Sequence, residues 1–282
     1  MHAKILFTAE EVAQLYAQPD VVLVDVRSPD YYRDGHIPGA VNIPELFTYL
    51  AESSPEGLAA FHREFEGHFS RAGITPEKTV ILYEDYLDNY YGSSCRGYWI
   101  FCYLGHRRAG ILDRGYAAWL LAGHPVSTTP PQPTPAKFIA RPQPQLMMTK
   151  ADMLQAIADP SVKLLDDRDA AEWRGHSSSP YGVDFAPRKG RISGATWIEW
   201  YHFMDRSRPL VTFKSPEQIR ALCARHNLFP DDDIVIYCFK GARGSNTCVA
   251  LKLAGFERVR LYFASWNEWS RDPALPIEAG AL

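Results

Sequence analysis

The chain has 282 residues, of which 46% are hydrophobic, 13% aromatic and 22% charged, for a net charge of −3. A length near twice that of an ordinary domain predicts two domains, and the composition excludes a disordered or collagen-like chain. The near-neutral balance offers no field for nucleic acid, and no apolar run approaches the roughly 20 residues that span a bilayer, so a soluble globular protein with neither nucleic-acid nor membrane partners is expected.

The segment from Met1 to Phe7 lacks the apolar core and cleavage site of a secretory signal, which predicts a cytoplasmic protein. Thr8 followed by Glu11 reads as a helix cap with an acid three positions on, and Thr149 followed by Asp152 reads the same way. Val21 to Arg27 is strand-like and ends Asp25-Val26-Arg27; at the same offset of 141 residues, Val162 to Arg168 ends Asp166-Asp167-Arg168. The chain is therefore an internal repeat. Gly35-His36-Ile37-Pro38-Gly39-Ala40 answers Gly190-Arg191-Ile192-Ser193-Gly194-Ala195 at an offset of 155, which gives the second copy a 14-residue insertion, a surface loop around 177–190. The strand-like Val80-Ile81-Leu82-Tyr83 then matches Ile234-Val235-Ile236-Tyr237, and helical segments lead on to Gly105 and Gly255. The copies close on Gly115 to Trp119 and on Phe263 to Trp266.

Between the copies, prolines at 130, 131, 133, 135, 142 and 144 predict an extended, semi-rigid tether that wraps one domain. The expected domains are 1–126, a linker 127–145, and 146–282. Short, near-continuously apolar strands alternating with helices argue an α/β fold in both, each a mainly parallel sheet flanked by helices. Ser215-Pro216-Glu217-Gln218 starts a further helix.

The halves diverge at one strand end. The second copy reads Tyr237-Cys238-Phe239-Lys240-Gly241-Ala242-Arg243-Gly244, whereas the first has Glu84 where the other has a thiol, followed by a longer acidic loop. Open α/β sheets place ligands at such strand ends. A helix N-terminus, converging amides and nearby cations all favour a thiolate. Gly241 and Gly244 are expected to permit the backbone curl, with Phe239, Ala242 and the two cations Lys240 and Arg243 completing an anion cradle around Cys238. The cysteines at 95, 102, 223 and 248 form neither a disulfide framework nor metal knuckles, so packing thiols are expected there and no metal or cofactor is called for. Asp25 with Arg27, and Asp166 with Arg168, recur in both copies and read as loop-bracing ion pairs. His36 reads as a satisfied polar group, Trp266 and Trp269 as packing, and Glu84 as a residue of an exposed or pocket-shaping loop.

The tandem Asp-x-Arg and Gly-His-Ile-Pro-Gly-Ala patterns, the single Cys238 loop and the Ser265-Trp266-Asn267-Glu268-Trp269 tail resemble the two-domain rhodaneses. The resemblance implies two tandem rhodanese-like domains with the N-terminal one non-catalytic. It also implies a thiosulfate sulfurtransferase that works through a Cys238 persulfide, with a small anionic sulfur donor, a thiophilic acceptor such as cyanide or a thiol, and a monomeric state. Lys240 and Arg243 match loop cations of the family and would grip the donor's sulfonate or the persulfide. Glu172 stands where vertebrate-type members carry an arginine, with Arg174 two positions further on. Mercaptopyruvate enzymes have a Cys-Gly-(Ser/Ala)-Gly-Val-Thr loop that this chain does not match, which tilts the expected donor toward thiosulfate. A mercaptopyruvate enzyme or a persulfide carrier is the nearest alternative. A phosphatase-like site, which has one more residue in its loop, and a non-catalytic regulatory module are more distant ones.

Overall fold

The computed structural model describes residues 4–88 and 92–279, so part of the acidic first-copy loop and the first three residues of the segment read for a secretory signal lie outside the described residues. The chain forms two compact units, one comprising 1–48, 59–143 and 206–212, the other 49–58, 144–205 and 213–282.

The first unit contains β1 (Leu6–Phe7), α1 (Ala9–Leu15), β2 (Val21–Asp25), α2 (Pro29–Asp34), β3 (Val41–Asn42), most of α3 (Pro55–Arg71), β4 (Thr79–Tyr83), α4 (Ser93–Tyr103), β5 (Ala109–Leu112) and α5 (Gly115–Leu121). Its five strands run in the order β1-β5-β4-β2-β3 and all neighbours are parallel. Val22, Leu23 and Val24 of β2 and Val80, Ile81 and Leu82 of β4 are all buried. Alternate strand residues point to opposite faces, so such a run requires cover on both. The proline-rich stretch lies along this unit: the Ala136 amide donates to the Ser70 carbonyl at 2.9 Å, Phe138 to Ser70 Oγ at 3.0 Å and Arg141 to the Leu104 carbonyl at 2.9 Å.

The second unit contains α6 (Lys150–Ala158), β6 (Val162–Asp166), α7 (Ala170–Trp173), β7 (Arg191–Ile192), β8 (Thr196–Trp197), β9 (Met204–Asp205), the second residue of β10 (Thr212–Phe213), α8 (Pro216–Ala224), β11 (Asp233–Tyr237), α9 (Ala242–Leu253), β12 (Val259–Leu261), α10 (Ser265–Trp269) and β13 (Ile277–Glu278). Its main sheet, β12-β11-β6-β8, is again wholly parallel, and β13 pairs antiparallel with β7. Thr8, Thr149 and Ser215 each cap a helix with the reciprocal bond from the third residue, so all three helix starts stand where the cap pattern placed them.

Both units carry the same brace. Arg27 Nη2 meets Asp25 Oδ2 at 2.6 Å and the Gly35 carbonyl at 2.7 Å; Arg168 Nη2 meets Asp166 Oδ2 at 2.6 Å and the Gly190 carbonyl at 2.8 Å. The pair ties the strand end to the glycine turn, and the guanidinium lies over Tyr116 in one unit and Trp266 in the other. Those stacking partners correct the sequence register of the closing helices. Trp119 Nε1 donates to the Pro125 carbonyl and Trp269 Nε1 to that of Pro276, so Trp119 corresponds to Trp269, and Tyr116 to Trp266. Both Trp266 and Trp269 are fully buried, and His36 is buried with its ring nitrogens on the Tyr32 and Thr129 carbonyls. Among the described residues no helix is long and apolar enough to cross a membrane.

Candidate active site

Cys238 follows β11 directly, and three residues separate it from the start of α9. Gly241 caps α9 with φ +85°, and a Cβ there would lie 2.8 Å from the Phe263 ring and 2.9 Å from its carbonyl oxygen. Both constraints demand glycine. The Gly241 amide consequently turns inward and donates to Cys238 Sγ at 3.0 Å. Gly244 serves a different purpose from the expected curl: it lies within α9, and a side chain there would run into Leu261 Cδ1 at 2.5 Å. Phe239 and Ala242 are buried, the latter opening the helix. Ser265, held at φ +57°, accepts the Cys238 amide at 3.2 Å and places Oγ 3.8 Å from Sγ.

The electrostatics differ from the sequence expectation of a favoured thiolate. Cys238 is 1% exposed. Burial pushes its thiol up, Asp167 adds to that, and Arg243, the Gly244 amide and Ser265 act in the opposite sense without reversing it. Two facts were hidden from a linear reading. Arg243 is 2% exposed and bound by carboxylates: its Nη1 lies 2.6 Å from Glu172 Oε2 and 2.8 Å from Asp169 Oδ1, and its Nη2 lies 3.1 Å from Glu172 Oε1. A cation in the first turn of a helix opposes the helix dipole, and these acids compensate it. Glu172 thus serves Arg243, and Arg174 is exposed. Asp167, fully buried, accepts from Thr247 Oγ1 at 2.6 Å and is itself pushed up by burial. The clue to Asp167 lay in the repeat, since the first copy has Val26 between its braced Asp and Arg. Asp167→Asn keeps the shape and removes the like charge, so alkylation of Cys238 by iodoacetamide is expected to shift to lower pH; an unchanged pH profile would refute the coupling.

Lys240 adopts an arrangement that no spacing rule suggests. Its Nζ stands 4.9, 4.3, 4.7 and 5.4 Å from the ring centroids of Tyr49, Tyr181, Phe185 and Phe239. Ring faces attract ammonium groups at such distances. Asp166 and Arg168 brace the strand end beside the loop without bonding Cys238. Cys95, Cys223 and Cys248 are buried and Cys102 half-buried; burial pushes the Cys223 thiol up to about 12 and Cys248 still higher, which suits packing.

The first unit answers the Cys238 loop with a carboxyl. Glu84 is fully buried rather than on an exposed or pocket-shaping loop. It accepts the Ser93 and Ser94 amides at 3.0 and 2.9 Å, at the start of α4, and the Ser94 hydroxyl. Burial nevertheless pushes its carboxyl up to about 8 from 4.5. A carboxyl that is neutral when folded but ionises when unfolded costs stability as pH rises between those values. Glu84→Gln is expected to flatten the decline in melting temperature between about pH 5 and 8, and a decline identical to that of the parent protein would rule this out.

The rhodanese-like domain family matches residues 8–122 and again 149–272. The chain belongs to the rhodanese family. It is 29% identical to the thiosulfate sulfurtransferase of Azotobacter vinelandii, over 97% of this chain and 96% of that one. Identity is 30% to a probable 3-mercaptopyruvate sulfurtransferase of Pseudomonas aeruginosa, over 99% and 100%, and 30% to the sulfur carrier protein TtuD of Thermus thermophilus, over 99% and 98%. The anaerobic ergothioneine biosynthesis enzyme of Chlorobium limicola, solved with trimethyl histidine, superimposes with a TM-score of 0.81 at 26% identity, over 98% of this chain and 71% of that one. This two-domain rhodanese is accordingly a sulfurtransferase, of a family that moves sulfur from a donor to a thiophilic acceptor.

Proposed function

We propose that the protein is a thiosulfate sulfurtransferase in which Cys238 alone carries the sulfur. The observation that carries this reading is the Gly241 amide aimed at Cys238 Sγ at 3.0 Å, at the N-terminal end of the 12-residue helix α9. Oriented amides and a helix N-terminus stabilise developing negative charge without a histidine base. The thiolate attacks the outer sulfur of thiosulfate; a Cys–S–S bond forms as the S–S bond to the sulfonate breaks, and sulfite leaves with that electron pair. Cyanide or a thiolate then takes the outer sulfur and returns Cys238 as a thiolate.

In this reading the amides of residues 239–244 cradle the persulfide. Lys240 supplies positive charge at the loop for the donor's sulfonate, while Arg243, engaged by Glu172 and Asp169, acts on Cys238 through its field. The first domain contributes no nucleophile, since its strand end carries Glu84. A second reading, a sulfur carrier that passes its persulfide to another thiol, is supported by the likeness to the Thermus protein. Thiosulfate treatment is expected to add one sulfur atom to the intact mass, with loss of that sulfur to cyanide and no gain in Cys238→Ala. No gain in the parent protein would sink the proposal. Loading by 3-mercaptopyruvate in preference to thiosulfate would change the donor, and release to thiols but not to cyanide would favour the carrier.

A further inference from the structure

We propose that the 177–190 insertion is a cover for the Cys238 loop, and that Tyr181 and Phe185 set the size of the acceptor that takes the sulfur. The inference rests on Cys238 being the sulfur-carrying residue. It begins from an asymmetry of the repeat: the extra 14 residues occur in the copy that holds the thiol and not in the copy that holds Glu84.

The insertion is built rather than loose at its base. Arg188 forks onto three carbonyls, those of Trp269 at 2.7 Å, Ser270 at 3.1 Å and Leu275 at 2.8 Å, and its own carbonyl accepts from Trp266 Nε1 at 3.1 Å. The first two carbonyls lie at the end of α10, where helix carbonyls lose their intrahelical partners; that of Trp269 also accepts the Asp272 amide at 3.4 Å. Ser179 further shapes the segment by donating to the Gly182 carbonyl at 3.0 Å and accepting the Tyr181 amide at 3.1 Å.

Its tip is placed on the catalytic loop. The rings of Tyr181 and Phe185 lie 5.7 and 5.5 Å from that of Phe239, the residue next to Cys238, and both face the ammonium of Lys240, the residue after that. Arg271 adds a second cation 5.2 Å from the Phe185 ring and donates to the Phe185 carbonyl. Ring and cation–π contacts are individually weaker than the three charge-assisted bonds at Arg188 taken together. The tip therefore yields before the base does. Tyr181 is 52% exposed while Cys238 is 1% exposed, so an acceptor approaches a surface of rings before it meets sulfur. A small ion such as cyanide needs little displacement of these rings, whereas a tripeptide thiol needs the tip moved aside.

The test compares reagents of one chemistry and two sizes. Second-order rates of alkylation at Cys238 by iodoacetamide and by a fluorescein iodoacetamide are read by peptide mass in the full chain, parent and Tyr181→Leu/Phe185→Leu. The large-to-small rate ratio is expected to rise about tenfold in the variant, and the ratio of glutathione to cyanide turnover of the loaded protein to rise in the same direction. An unchanged alkylation ratio overturns the proposal. Should the double variant misfold, Arg271→Gln releases the latch from outside the rings; it too must raise the ratio, and no change there overturns the proposal equally. Because alkylation does not require sulfur transfer, failure of the parent protein to gain sulfur would sink the function of Cys238 and leave the cover to be judged on its own data.

Discussion

Cys238→Ser is expected to lower sulfurtransferase turnover by at least about a thousandfold, to the level of the uncatalysed exchange, because removal of a covalent nucleophile takes away the whole path rather than one of its stabilising contacts. A hydroxyl cannot form the persulfide, and at this site it would also be far less ionised than the thiol. Folding should be unaffected: the oxygen is smaller than sulfur, the Gly241 amide keeps an acceptor, and Ser265 still caps the residue 238 amide. The decisive measurement is steady-state thiocyanate production beside an urea unfolding curve of the same sample. Turnover within tenfold of the parent would transfer the chemistry to another group; lost turnover with a lost fold would require the Cys238→Ala mass experiment instead.

The second large effect concerns stability. Arg168→Ala leaves Asp166 fully buried with Tyr237 as its remaining side-chain partner, at 2.6 Å, and frees the Gly190 carbonyl that the guanidinium had met at 2.8 Å. Stranding one member of a buried ion pair costs about 3–5 kcal/mol. The loss should appear in urea unfolding followed by tryptophan fluorescence, since the guanidinium lies 4.5 Å from the Trp266 ring. An effect under about 1 kcal/mol, as found for exposed ion pairs, would contradict the bracing role.

The duplication, the α/β class, the helix starts at Thr8, Thr149 and Ser215, and the singling out of Cys238 are all legible in the linear chain. Each of these is written in local signals: cap pairs three residues apart, apolar runs of strand length, and one offset shared by several motifs. The brace was legible for the same reason, since Asp and Arg two residues apart at a strand end meet whatever the rest of the chain does. Tertiary structure alone decided the electrical state of the site. By sequence Arg243 is a loop cation, but Glu172 and Asp169, some seventy positions earlier, fold onto it; burial and then Asp167 push the thiol up, opposite to what the loop's cations and amides alone predict. Lys240 was a loop charge until the insertion and Tyr49 surrounded it with rings. Glu84, read as part of a loop, turned back onto the amides of its own helix. The physical division is plain: covalent neighbours set backbone conformation and nucleophile identity, whereas charge balance and access depend on desolvation and on partners that only folding brings within a few ångströms.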